Sequence, residues 1–254
     1  MTERKGKLIG IGVGPGDTEL LTIKAVKILK TVPIICSPKS APDKESIALS
    51  IIKPILEKRK KESDKKESDR KEEDLKKNDE DKNESLKILE PVFPMIEDGK
   101  TLEKHWDEAS SLIAKYLNEG LDVAFITLGD PSIYSTFSYV QKRLDEYEIE
   151  MVPGVNSFTA CASSISKPLV EKDEILMIIP KIDDRLETLL KNGNNFVLMK
   201  TSRNTEELED IIHNQDGEKE IISVQNCTME NEEIIYGFPK NKPYLTTTIV
   251  KLKK

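Results

Sequence analysis

Short runs of β-branched and aliphatic residues alternate along this chain with stretches whose apolar positions recur at helical spacing. That is the pattern of parallel strands joined by helices. Residues 8–13 read as a first strand and 19–30 as a helix, with Leu20, Ile23, Val26 and Leu29 along one face. A second strand, 32–36, stops at Ser37-Pro38. Residues 47–56 are helical, 86–89 form a strand, and Thr101 caps a helix that runs to Asn118 and closes at Gly120. Residues 122–127 carry almost no polar side chain, so a strand covered on both faces is expected there. A helix over 135–147 and a strand over 149–152 follow, ending at Pro153-Gly154. The second half offers strands at 175–179, 196–199, 221–224, 233–237 and 247–252, with helices at 156–164, 185–191 and 205–213. The expected plan is α/β, with two α/β domains, 1–152 and 153–254, and a cleft between them.

One stretch breaks the pattern. Residues 58–84 hold eleven Lys or Arg and eleven Asp or Glu, with Leu75 the only aliphatic residue. A segment so composed buries no face, and the 58–86 insertion is expected to be a disordered loop or a solvated helix held by ion pairs four apart. Its charges cancel, so the net charge of −7 belongs to the rest of the 254 residues. That balance argues against nucleic acid as a partner. No segment approaches the roughly 20 apolar residues of a membrane span. Cys36, Cys161 and Cys227 form no Cys-x-x-Cys pair and sit in or beside apolar runs, as reduced thiols do. A cytoplasmic protein without a membrane partner is therefore expected.

Three turns at strand ends can carry chemistry. The first, Gly10-Ile11-Gly12-Val13-Gly14-Pro15-Gly16-Asp17, places four glycines at alternate positions, where backbone can approach a ligand closely. The dinucleotide spacing G-x-G-x-x-G fails here. Counting from Gly10 puts Pro15 at the third glycine, and counting from Gly12 puts Asp17 there. The second turn is Gly129-Asp130-Pro131-Ser132-Ile133-Tyr134-Ser135-Thr136, in which Asp130 is either a turn residue or a ligand contact. The third is Val152-Pro153-Gly154-Val155-Asn156-Ser157-Phe158. Three such turns can line one pocket.

In this order the turns resemble the signature of the tetrapyrrole methylase superfamily. Ser37-Pro38-Lys39-Ser40, Phe93-Pro94-Met95 ahead of His105-Trp106, Lys200-Thr201-Ser202-Arg203-Asn204 and the ending from Pro243-Tyr244-Leu245 to Val250 are similar to its C-20 methyltransferase branch. The resemblance spans nearly all of the chain outside 58–84. It implies a homodimeric enzyme that uses S-adenosylmethionine to methylate C-20 of cobalt-factor II or precorrin-2 in cobalamin biosynthesis. By the same likeness Pro15, Gly129, Asp130, Ile133, Ser135, Thr136, Asn156, Ser157, Met199, Gln225, Asn226 and Cys227 contact the cofactor. Met199 reads equally as a core residue.

Methyl transfer from an activated sulfonium asks for alignment rather than a side-chain nucleophile, so no catalytic residue is assigned. His105 and His213 are too far apart in sequence to suggest a local metal pair, and no metal is assigned. The substrate class is rich in carboxylates, and Lys39, Lys200 and Arg203, at strand ends, are the cations expected to hold it. Rival readings are a nicotinamide oxidoreductase, a non-catalytic corrinoid-binding protein, and methylation at another ring position or of a protein, as in diphthine synthases.

Overall fold

Leu8, Ile9 and Ile11 are buried on alternating sides of the first strand, which sets the layering of the N-terminal half. In the computed structural model, which describes residues 4–68, 86–201, 205–239 and 245–253, the chain forms two compact units. Met1–Gly14 with Thr18–Gly154 make the first, and Pro15–Asp17 with Val155–Lys254 the second.

The first unit is built on strands β1 (Lys7–Gly12), β2 (Ile34–Cys36), β3 (Lys87–Leu89), β4 (Val123–Thr127) and β5 (Glu148–Val152). They lie in the order β3-β2-β4-β1-β5, and every pairing is parallel. Helices α1 (Ile23–Leu29) and α2 (Ile47–Ser68) cover one face, where Ala25, Leu29, Ile51 and Ile52 meet Ile9, Ile11, Ile35 and Ile126. Helices α3 (Gly99–Asn118) and α4 (Phe137–Gln141) cover the other, where Ile113, Leu117, Phe137 and Val140 meet Leu8, Cys36 and Phe125. Strand β4 is buried along its whole length, as its apolar run predicts. With all five strands parallel, their carboxyl ends share one edge, where ligands of open α/β sheets gather.

The second unit holds α5 (Ser157–Ser164), β6 (Leu176–Ile179), α6 (Leu186–Lys191), β7 (Asn195–Met199), α7 (Thr205–His213), β8 (Glu218–Gln225), β9 (Glu233–Tyr236) and β10 (Thr246–Lys253). Its sheet runs β6-β7-β10-β8-β9. Only β6 and β7 pair in parallel; β10 lies antiparallel between β7 and β8, and β9 is antiparallel to β8. The expectation of parallel strands fails here for a simple reason. A parallel return needs a crossover of a dozen or more residues, and between β8 and β9 the chain has only the 226–232 turn.

Three helix boundaries also differ from the sequence reading. Thr22 splits the 19–30 stretch: its side chain accepts from the Ala25 amide, so α1 starts there, after a single tight turn at Thr18–Leu20. Asp98, not Thr101, caps α3; its carboxylate accepts the Thr101 amide at 3.2 Å and the Thr101 hydroxyl as well. The 135–147 helix is cut to the five residues of α4, after which amides of Arg143, Leu144 and Tyr147 bond back three residues rather than four.

The charged insertion is helical up to Ser68, as the continuation of α2; residues 69–85 lie outside the described residues. At its start Arg59 does something that its composition hides. One guanidinium nitrogen donates to the Leu29 and Val32 carbonyls, at 3.0 and 2.7 Å, satisfying the end of α1. Burial lowers the Arg59 pKa, yet these carbonyls hold the side chain in place. Replacing Arg59 with alanine is expected to cost about 1.5–3 kcal/mol, the range for hydrogen bonds to a charged group. Urea melts of Arg59→Ala beside Lys58→Ala check this, and equal midpoints in the two variants would refute it.

Candidate functional site

At the shared carboxyl edge of the first sheet, the turns that follow β1, β4 and β5 meet backbone to backbone. These three strands are neighbours. Gly14 and Gly129 exchange amide hydrogen bonds, N–H to O at 3.3 and 2.9 Å, and the Val13 amide donates to the Thr127 carbonyl at 2.9 Å. A Cβ added at Gly12 would stand 2.5 Å from the Gly129 oxygen and 2.6 Å from the Gly154 nitrogen. One added at Gly154 would stand 2.2 Å from the Gly129 oxygen. The glycines therefore serve a stack of three peptide chains with no room for side chains between them. Gly10 gives up its side chain for another reason: the Phe137 ring occupies that space, 2.6 Å from where a Cβ would sit.

Asp130 locks the stack. It is buried, with one carboxylate oxygen accepting the Gly154 amide at 3.0 Å and the other accepting the Ser132 amide at 2.8 Å and the Ser132 hydroxyl. Burial works against its charge, but the Ser132 hydroxyl and the two amides outweigh it and hold its carboxyl below the usual carboxylate range. Of the two roles open to Asp130, its turn role is thus realised directly. Ser135 is buried too, its hydroxyl 2.9 Å from that of Thr127 and accepting the Phe137 amide at 3.1 Å. Ile133 and Thr136 are half-buried beside it.

The C-20-like motifs Ser37–Ser40 and Phe93–Met95 are far apart in sequence and side by side in the fold. Pairing of β2 with β3 continues past their ends: the Lys39 amide donates to Pro91 and the Phe93 amide to Lys39, at 3.0 and 2.8 Å. Lys39 is half-buried there, while Met95 and Ile96 are exposed. Trp106, from the same group of motifs, stacks on Tyr139 at 3.9 Å and clamps α3 to α4, with Arg143 over its ring.

The remaining candidates lie in the second unit. Asn156 precedes α5 and its side chain makes no capping bond to that helix; Ser157 opens it. Met199 ends β7 half-buried, after the fully buried Phe196, Val197 and Leu198. Lys200 is exposed, with φ 58°. Gln225 and Cys227 are buried and Asn226 is half-buried. Pro15 is buried, and the residues after it press on the same turn, since the Asp17 amide donates to the Thr228 hydroxyl at 3.0 Å. Cys161 lies beside Cys227, and contact with that thiol, then burial, pushes the Cys161 pKa up. Arg203 and Pro243-Tyr244 lie outside the described residues.

The model of the Tetrapyrrole (Corrin/Porphyrin) Methylases matches residues 7–239. The chain belongs to the tetrapyrrole methylases. A relative from Methanocaldococcus jannaschii, named a probable cobalt-precorrin-2 C(20)-methyltransferase, is 37% identical over 253 residues, 96% of each chain. Among solved structures, a cobalt precorrin-4 methyltransferase superposes with a TM-score of 0.67 at 19% identity, covering 96% of this chain and 94% of its own. A uroporphyrin-III C-methyltransferase from Thermus thermophilus, complexed with S-adenosylhomocysteine, gives 0.62 at 15%, covering 96% and 97%. At these identities the solved structures speak for the fold alone.

For a tetrapyrrole methylase the family resemblance implies S-adenosylmethionine, and the turns of this chain fit it on their chemistry. Residues 10–17, 129–136 and 152–158 contain no lysine or arginine, while Asp17 and Asp130 are acidic. A sulfonium meets no repelling cation there, whereas a dinucleotide pyrophosphate would find no cationic partner in these turns. Among the described residues no helix is long and apolar enough to cross a membrane. Thr228 and Glu232 are not among the residues expected from the sequence, although the 225–232 segment carries a signal for them. The reversal over 225–232 contains neither glycine nor proline, so ordinary residues must take its left-handed positions.

Proposed function

We propose that this chain transfers a methyl group from S-adenosylmethionine to C-20 of cobalt-factor II or precorrin-2, in the biosynthesis of cobalamin. The observation that carries the reading is the 37% identity to the Methanocaldococcus relative, which extends over 96% of both chains. The stacked turns support it, because they stand at the carboxyl edge of the first sheet, where ligands of open α/β sheets gather, and Asp130 locks their geometry.

The donor supplies an activated methyl on a sulfonium, and the macrocycle supplies the electrons. The work of the chain is then to bind, orient and keep water out. In this reading the donor contacts implied by the family resemblance are Gly129, Asp130, Ile133, Ser135 and Thr136 in the first unit and Pro15, Asn156, Ser157, Met199 and residues 225–227 in the second. Lys39 meets a carboxylate of the macrocycle, and the exposed Met95 and Ile96, on the adjoining segment, offer its ring an apolar contact. Lys200 and Arg203 are the further cations. The enzyme works as a homodimer, an expectation that rests on the family resemblance, and in the cytoplasm, where its three free cysteines stay reduced.

The test is incubation with methyl-labelled S-adenosylmethionine and either metal-free or cobalt-loaded dipyrrocorphin, with the new methyl located by mass spectrometry and NMR. Label at C-20 is expected, and the preferred substrate identifies whether cobalt is already in the ring. Absence of transfer to both, or label at another carbon, refutes the reading.

A further inference from the structure

The turn that leaves β8 contains two non-glycine residues in left-handed backbone, Asn226 at φ 48° and Thr228 at φ 63°. Asparagine tolerates this region. A β-branched threonine does not, because its Cβ substituents crowd the backbone there. Backbone strain persists only where its surroundings over-determine it, and it collects at binding sites.

The surroundings here are specific. One carboxylate oxygen of Glu232 accepts the Thr228 amide at 2.5 Å and the Ser164 hydroxyl at 2.9 Å, so the strained residue is held from α5 and from the start of β9. The Met229 amide closes the turn on the Asn226 carbonyl at 2.9 Å, and the Glu232 amide bonds back to Met229 at 3.0 Å. Held this way, the Thr228 hydroxyl accepts the Asp17 amide at 3.0 Å. Gly16 lies so close that a Cβ would stand 2.6 Å from Met229 Cγ and 2.8 Å from the Cys227 carbonyl oxygen. A glycine at 228 would remove the strain but also the acceptor.

We propose that Thr228, fixed by Glu232, is a positioning residue of the donor site, whose hydroxyl seats Pro15–Asp17 against the turn that carries Asn226 and Cys227. The inference rests on the reading that Pro15 and residues 225–227 contact the methyl donor. Thr228 itself acts through Asp17 and Cys227 and is not a catalytic residue.

Calorimetric titration of the full chain with S-adenosylhomocysteine, alongside thermal melts, tests it. Thr228→Val keeps shape and branching and loses the acceptor; its affinity should fall about tenfold, the effect of one hydrogen bond on a seated segment. Thr228→Ser keeps the acceptor and should bind as the natural protein does. In the methyl-transfer assay Thr228→Val should raise the donor KM by the same factor, with kcat and the macrocycle KM unchanged. Thr228→Ala relieves the branching strain while removing the hydroxyl, so it should lose the same affinity without a lower melting temperature than Thr228→Val. A lowered melting temperature with unchanged affinity in Thr228→Val and Thr228→Ala would overturn the proposal, as would equal losses in serine and valine. If the natural protein fails to bind S-adenosylhomocysteine, the donor reading falls and this proposal with it; natural binding that Thr228→Val preserves overturns this proposal alone.

Discussion

Replacing Gly154 with alanine is expected to abolish S-adenosylhomocysteine binding and to lower the melting temperature sharply. The added Cβ would lie 2.2 Å from the Gly129 carbonyl oxygen and 2.7 Å from the Gly12 carbonyl carbon. Both obstacles are backbone atoms, one in the turn after β4 and one at the last residue of its parallel neighbour β1, so neither can swing aside as a side chain tip would. Gly154 is not among the glycines at positive φ, which makes its requirement one of space rather than conformation. Overpacking costs about 1–3 kcal/mol where side chains can yield, and backbone obstruction belongs at the upper end. For a chain of this size that corresponds to a fall on the order of 6–12 °C. Donor affinity should fall more than about a hundredfold, since a shift near 1 Å in positioning groups has consequences of that order. Gly99→Ala is the control: nothing lies within 4 Å of its added Cβ, and alanine favours the helix that Gly99 opens. If Gly154→Ala melts and binds as the natural protein does, the turn stack is not what holds the site.

Period-2 and period-3.6 patterns located the strands and most helices, because each strand has a covered face and each helix an apolar stripe. They were blind to two things. Strand direction leaves no mark on periodicity, so the antiparallel insertion of β10 between β7 and β8 was not legible from Thr246 to Lys253. Nor did spacing separate a full helix from successive tight turns after α4. Phe137, Val140, Leu144 and Tyr147 are all buried on one face, although the backbone stops being α-helical at Gln141. Either period, 3.0 or 3.6, keeps those four positions within about a third of a turn of one another.

The site divides in the same way. That three turns follow strands and carry glycines was legible, as was the failure of the dinucleotide spacing at Pro15. Their purpose was not, because a glycine that admits a ligand and one that admits another peptide chain look alike in sequence. Arg59 was hidden for a different reason. Counting charges over 58–84 averages away the one guanidinium that reaches two carbonyls. Glu232 likewise sits in a run of polar residues that reads as solvated, and only the fold brings its carboxylate to the Thr228 amide and Ser164 hydroxyl.

Substitution of Asp130 by asparagine is expected to destabilise the protein by about 2–3 kcal/mol near neutral pH, the consequence of leaving a buried donor unpaired. Both carboxylate oxygens of Asp130 accept amides, Ser132 on one and Gly154 on the other. An amide side chain must turn its NH2 toward one of them, setting donor against donor. The pH dependence follows from the sign of the pKa shift. Hydrogen bonds from Ser132 and Gly154 overcome the burial that opposes charge, so the folded carboxyl ionises below the unfolded value of about 3.9. The stabilisation is therefore fully present above that unfolded value and is lost as pH falls through the depressed folded one. Thermal melts from pH 8 down to pH 3 should show a constant gap between the natural protein and Asp130→Asn above about pH 5, closing only in the acid range as the natural carboxyl takes up its proton. Donor affinity should follow the gap at each pH, because the same carboxylate that holds the Gly154 amide holds the turn stack closed. A gap that stayed constant into acid would mean that Asp130 contributes by shape alone.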